Sequence, residues 1–137
     1  PAGVFSGGTL PDRVEAYYKR SVSKTLATEA LNAITKFFDG VAFDNNSSQT
    51  GPSFSDYVDF LETTKNDSPL GDLITDKFEI SKTAIGELND DFTIQLDENK
   101  LKMLEAYDKI QAAVVLMKVD MLQALNINVD YVDADGD

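Results

Sequence analysis

The chain has no cysteine and no histidine. Without cysteine there are no disulfides and no thiolate metal ligands, and the redox compartment stays open. Without histidine there is no imidazole general base, no helical H-E-x-x-H zinc site and no Glu-x-x-His di-iron ligation. Positive charge is scarce as well: 12 Lys and Arg stand against 24 Asp and Glu, a formal net charge of −12. Such an acidic surface repels phosphate, which argues against nucleic acid and against docking on anionic lipid. It suits cationic partners or plain solubility. No apolar run is long enough to span a bilayer, and no targeting segment is visible. The opening Pro1-Ala2-Gly3-Val4-Phe5 looks like neither a signal peptide nor a native initiator, so the chain is expected to be a trimmed or cleaved piece of a longer protein.

What is present fits one domain spanning 1–137, and a hydrophobic share of 42% is enough to build its core without staples. The clearest periodicity runs from Asp97 to Leu125. Met103, Tyr107, Ile110, Val114, Met117, Met121 and Ala124 recur in steps of three and four, the spacing of one helix face. A second apolar strip (Ala112, Val115, Val119, Leu122) lies beside it, which predicts a central helix touched on several sides. Asp97 is its expected N-cap. Upstream, Asp12 with Glu15 reads as a capping box for a long helix to Asp39. Its stripe is Val14, Tyr18, Val22, Leu26, Ala30, Ile34, Phe37 and Phe38, and Gly40 stops it. Phe43 to Pro52 reads as an exposed loop, and a short helix capped by Ser53 or Ser55 turns Phe54, Tyr57, Val58 and Leu61 inward. Ser68-Pro69 opens a further helix with Leu70, Ile74, Phe78, Ser81, Ile85 and Leu88 on one face. Gly86, late in that helix, suits close approach of a neighbour. Ile127, Val129 and Tyr131 alternate with less apolar residues in an extended tail. The expected architecture is all-α: an up-and-down antiparallel helical bundle of three long helices and one short one, with a short extended C-terminal tail. That set leaves the last helix incompletely wrapped, so a further partner is expected to complete it.

Chemical motifs are weak. Asp133, Asp135, Gly136 and Asp137 resemble the start of a calcium loop, but its distal Glu is missing, and a solvated acidic terminus is the simpler reading. Ser21 to Lys24 has S-x-x-K spacing, yet it lies in an amphipathic helix and no K-T-G companion exists. Asn45, Asn46 and Asn66 begin N-x-[ST] triplets that are common by chance. Glu87, Asp90 and Asp91 cluster at a helix end, where a wet terminus is more usual than a hard-cation site. Lys118 and Asp120 interrupt the most apolar helix and are expected to snorkel or pair at its rim. Tyr17, Tyr18, Phe37, Phe38, Phe54, Tyr57 and Phe60 could line a ligand groove, but aromatics at helical spacing are far more often core, and core is the expectation.

Three stretches, in order, carry a resemblance. Tyr17-Tyr18-Lys19-Arg20-Ser21 opens a long helix that closes in Phe37-Phe38-Asp39-Gly40. Gly51-Pro52-Ser53-Phe54-Ser55-Asp56-Tyr57 precedes a short helix. The end runs Leu122-Gln123-Ala124-Leu125-Asn126-Ile127-Asn128-Val129 to a final Asp-Gly-Asp. Together they resemble the C-terminal half of an imelysin-like protein, a family also called the insulin-cleaving membrane protease or iron-regulated proteins. The resemblance implies two helical bundles related by duplication, in a periplasmic or outer-membrane-anchored protein of the bacterial cell envelope, with links to iron uptake. It places the family's G-x-H-x-x-E metal motif in the N-terminal half, so no catalytic, cofactor or metal residue carries over to this histidine-free chain. Arg20 and Ser21 match a polar pair found where the two halves meet, and they are the ligand-groove candidates. The expected function is a non-catalytic binding module that holds iron or an iron complex in a groove against its N-terminal half. The alternatives are half of a metallopeptidase, whose metal would sit in that other half, and a purely structural bundle.

Overall fold

The computed structural model describes residues 2–3, 7–42 and 50–128 of the chain. It is mostly helical. Two 3₁₀ segments, Pro11–Arg13 and Tyr17–Val22, precede α1 (Ser23–Phe38). There follow α2 (Phe54–Phe60), a hairpin of β1 (Thr64–Lys65) and β2 (Ser68–Pro69), α3 (Leu70–Gly86) and α4 (Phe92–Val115). A π turn (Leu116–Met121) leads into the short α5 (Leu122–Ala124). No helix among the described residues is long and apolar enough to cross a membrane. The tail from Val129, with Asp133, Asp135, Gly136 and Asp137, lies outside the described residues, as do Phe43 to Gln49 with Asn45 and Asn46.

The central element is α3, not the C-terminal helix. It packs against α1, α2, α4 and the π turn. All six residues of its expected stripe, Leu70, Ile74, Phe78, Ser81, Ile85 and Leu88, are buried. Ser81 is the polar member, and its hydroxyl donates to the Lys77 carbonyl at 2.7 Å, so its burial leaves nothing unsatisfied. On α4 and beyond, Ala106, Ala113, Leu116 and Met121 are buried, while Met103, Tyr107, Ile110 and Val114 flank that line half-buried. Small alanines let α4 approach α3 closely; the larger side chains lie to either side.

Three helix boundaries differ from the expectation. The long helix from Asp12 is broken: Ala16 sits in the left-handed region (φ 54°), Lys19 is non-helical, and α1 starts only at Ser23. Its buried face is Leu31, Thr35 and Phe38 with Ser23 and Ala27, so Leu26, Ile34 and Phe37 face solvent. The hydroxyls of Ser23 and Thr35 donate to the Glu15 and Leu31 carbonyls at 2.6 and 2.9 Å, which lets small polar residues occupy the inner face. Second, α4 begins at Phe92 with Asp91 as its cap, five residues ahead of the start expected at Asp97. Asn99 kinks the helix (φ −157°, ψ 80°), and its side chain accepts from Lys102 N–H at 3.1 Å; it recaps the second segment where Asp97 was expected to do so. Third, Lys65 to Pro69 is a hairpin, with Asn66 and Asp67 both at positive φ as a tight turn requires. Pro69 is therefore the N-cap of α3, one position before the helix.

Gly86 has open space where a side chain would begin, so no packing contact requires glycine there. Close approach occurs at Gly71 instead, where an added Cβ would lie 2.7 Å from the Asp59 carboxylate.

Candidate functional site

The ligand-groove candidates, Arg20 and Ser21, sit at the end of the fold where the second 3₁₀ segment meets the start of α4. Arg20 is held there. Its guanidinium lies over the Tyr17 ring at 4.7 Å, donates to the Tyr17 carbonyl at 3.3 Å, and reaches the Thr93 hydroxyl at 3.5 Å. Ser21 is exposed and is not drawn into this cluster. The buried serine of the segment is Ser23.

Arg20 faces a network built by the turn between α3 and α4. Asp91 accepts from the Thr93 N–H and hydroxyl at 2.8 and 2.6 Å. Asn89 accepts from Asp91 N–H, and its own N–H donates to the Gln95 side chain, which in turn donates to the Asn99 carbonyl. From the α1 side, Lys24 donates to the Leu88 carbonyl at 3.0 Å and pairs with Asp90. Burial works to raise the Asp91 carboxyl, but the Thr93 hydroxyl, the Thr93 and Ile94 backbone N–H groups and the Arg20 charge outweigh it and hold Asp91 below its ordinary 3.8. A depressed folded-state pKa contributes stability above the unfolded value, and that stability is lost as pH falls through the folded one. Asp91→Ala is therefore expected to cost about 1 kcal/mol at neutral pH, the worth of an N-cap. The difference between wild type and variant should shrink below the ordinary 3.8; denaturant melts at pH 7 and pH 3 read it. Asp39 runs the other way: burial raises it, Lys82 opposes and Glu79 adds to the rise.

This arrangement disposes of two motif readings. The amine of Lys24 is occupied by Leu88 and Asp90, and no described hydrogen bond joins it to Ser21, so the S-x-x-K spacing builds no base–nucleophile pair. Glu87, Asp90 and Asp91 do not converge: Glu87 pairs with Lys102 at 3.4 Å, Asp90 with Lys24, and Asp91 caps α4. Among the described residues no three acidic groups come together to hold a metal ion. Asp120, in the π turn, pairs with Lys65 of the hairpin at 2.6 Å, while Lys118 is exposed.

The clefts lie elsewhere. A groove of about 400 Å³ between α3 and α4 is lined by Ile80, Ala84 and Ala106 together with Glu79, Glu87, Glu105, Lys102 and Lys109. A cup of about 520 Å³ is lined by Phe37, Val41, Pro52, Phe54 and Tyr57. On the surface of α2, Tyr57 and Phe60 stack at 6.3 Å with planes 10° apart. The expectation that the aromatics are core fails here. Tyr18 is fully exposed, Phe60 79% and Phe37 67% exposed, whereas Phe38 and Phe78 are buried edge-to-face. The signal was present in the sequence: Phe54, Tyr57, Val58 and Phe60 are more large apolar residues than one inward face of a seven-residue helix can cover.

No family model matches the chain, and no solved structure matches it. A curated protein, Dermonecrotic toxin LspiSicTox-betaIE4i of Loxosceles spinulosa, is 30% identical over 128 residues. The match covers 88% of this chain and 45% of the toxin, so the chain spans less than half the length of that relative.

Proposed function

We propose that the chain is a non-catalytic binding module: the C-terminal half of a two-bundle, imelysin-like protein of the bacterial cell envelope, working against its N-terminal half. The observation that carries this reading is the exposure of three large apolar residues along the C-terminal helical stretch. Leu101 is 63% exposed, Val115 48% and Val119 47%. Val115 and Val119, one helical turn apart, form the apolar pair that the other half would cover. In this reading α1, α3 and α4 form an up-and-down antiparallel bundle, and an iron species is held between the halves. The described residues offer no cluster of ligands for a metal, so those ligands would belong to the other half. The reading as half of a metallopeptidase draws nothing from this chain. The toxin likeness covers less than half of that protein and brings no activity with it.

Light scattering and intact mass of the assembled protein test the pairing. Val119→Asp should weaken association with the N-terminal half at least tenfold and leave the fold intact, since the residue is surface-exposed. Saturable binding of ferric iron or haem by the assembled halves is the expected ligand result. An isolated chain that neither pairs with that half nor binds these ligands in its company would overturn the proposal.

A further inference from the structure

α2 separates two clefts of opposite character. On one side lies the apolar cup of Phe37, Val41, Pro52, Phe54 and Tyr57. On the other, a cleft of about 360 Å³ presents the carboxylates of Asp59, Glu62 and Asp72. Tyr57 lines the first and Asp59 the second; two residues apart on a helix is a rotation of about 200°, so the clefts lie to either side of the α2 axis. Between them, on the outer surface, stand the stacked rings of Tyr57 and Phe60 and the exposed carboxylate of Asp56. No lysine or arginine lines either cleft. Asp56, Asp59, Glu62 and Asp72 take no part in the ion pairs among the described residues, whose cations go to other carboxylates. Uncompensated negative charge beside exposed ring faces is an attractive site for a cation, because both the carboxylates and the π faces draw positive charge.

We infer that the outer surface of α2 docks a cationic, amphipathic peptide segment of a partner protein, which seats an apolar side chain in the Phe37–Phe54–Tyr57 cup and lays lysine or arginine across Tyr57, Phe60 and the Asp59–Glu62–Asp72 cleft. Charge complementarity decides for this occupant. A second copy of this chain carries a net charge of −12 and would bring like charge to like. An anionic lipid or nucleic acid is repelled for the same reason. A helix with its side chains is about 10–12 Å across, and an extended chain advances about 3.3 Å per residue, so an apolar anchor and a basic residue three or four positions apart would span it. This docking surface shares no residue with Leu101, Val115 and Val119 and does not depend on how those are used.

Fluorescence anisotropy with the full chain tests it. The probe is a labelled lysine–leucine amphipathic peptide; the comparison peptides carry glutamate for every lysine or alanine for every leucine. The lysine–leucine peptide should bind saturably, and both comparison peptides at least tenfold more weakly. Phe60→Ser, at an exposed position, and the pair Glu62→Gln with Asp72→Asn should each lower affinity tenfold. Asp97→Asn with Glu98→Gln, the same change of charge on α4, should alter it less than twofold. Equal losses from the α2 and α4 charge variants, equal binding of the alanine peptide, or no binding at all would overturn the inference. Concentration-dependent dimerisation abolished by Phe60→Ser would also overturn it and assign the surface to a second copy.

Discussion

Phe78→Ala should cost about 3–5 kcal/mol, the usual range for truncating a buried phenylalanine. Phe78 is 2% exposed on the central helix, and its ring meets that of fully buried Phe38 edge-to-face at 5.8 Å. The truncation removes the transfer free energy of the ring and that aromatic contact, and it leaves a hole between α1 and α3, where the surrounding helices relax only in part. Against a total stability of about 5–15 kcal/mol the loss is a large share, equivalent to a drop in Tm of roughly 10 °C or more. Thermal and urea melts followed by far-UV circular dichroism read it. Phe37→Ala supplies the contrast. Phe37 neighbours Phe38 in sequence but is 67% exposed, so its truncation should cost about 1 kcal/mol or less. Equal losses at Phe37 and Phe78 would reverse the assignment of the inward face of α1.

That pair of residues shows where sequence and structure part company. The stripe of α3 was fully legible, because its apolar residues keep strict helical spacing and its one polar member bonds within its own helix. On α1 the expected stripe of Leu26, Ala30, Ile34, Phe37 and Phe38 meets the buried face only at Phe38, and the rest of that face lies one position further round. Apolar periodicity is blind to Ser23 and Thr35, whose hydroxyls find carbonyls at 2.6 and 2.9 Å and so occupy the interior at little cost. The backbone break at Ala16 was equally invisible, since nothing about alanine announces a left-handed conformation. Capping was legible where the chemistry is local: Ser53 and Asp56 form the reciprocal capping box on α2 with bonds of 2.9 and 3.2 Å. It failed at Asp97, because the helix already runs from Phe92 and Asn99 caps the segment that follows its kink.

Little of the geometry around Arg20 and Ser21 was legible. Arg20 does reach across to the start of α4, but it does so through Tyr17 and Thr93, contacts 3 and 73 residues away along the chain. The second of these has no trace in local spacing. Ser21 is exposed on the 3₁₀ segment that runs directly into α1, and it takes no part in that cluster. The two clefts beside α2 depend on how α1, α2 and the hairpin converge, which no single segment encodes. The surplus of aromatics on α2 was the one local clue.

Gly40→Ala should lose roughly 2–4 kcal/mol, from the left-handed penalty for a side chain together with the strain of overpacking. Gly40 ends α1 at φ +66°, and the Val41 N–H returns to the Lys36 carbonyl at 2.8 Å, the pattern that closes a helix through a left-handed residue. Conformation alone therefore favours glycine. Space enforces it: a Cβ would stand 2.6 Å from the Gly51 carbonyl oxygen and 2.8 Å from the Ser53 Cβ. Gly51 N–H also donates to the Gly40 carbonyl at 2.9 Å, so this is where the chain returns to α1 before entering α2. Forcing the strands of that neck apart would move Pro52 and Ser53, which line the aromatic cup, and would loosen the capping box that starts α2. The variant should thus bind the lysine–leucine peptide more weakly even at temperatures where it stays folded. Gly86→Ala is the control with the opposite sign. Gly86 is the last residue of α3 with open space around it, and alanine there should be neutral or stabilise by up to about 1 kcal/mol. Melts of the two variants side by side separate a glycine required by its surroundings from one that is not; a harmless Gly40→Ala would mean that the neck between α1 and α2 is not packed as described.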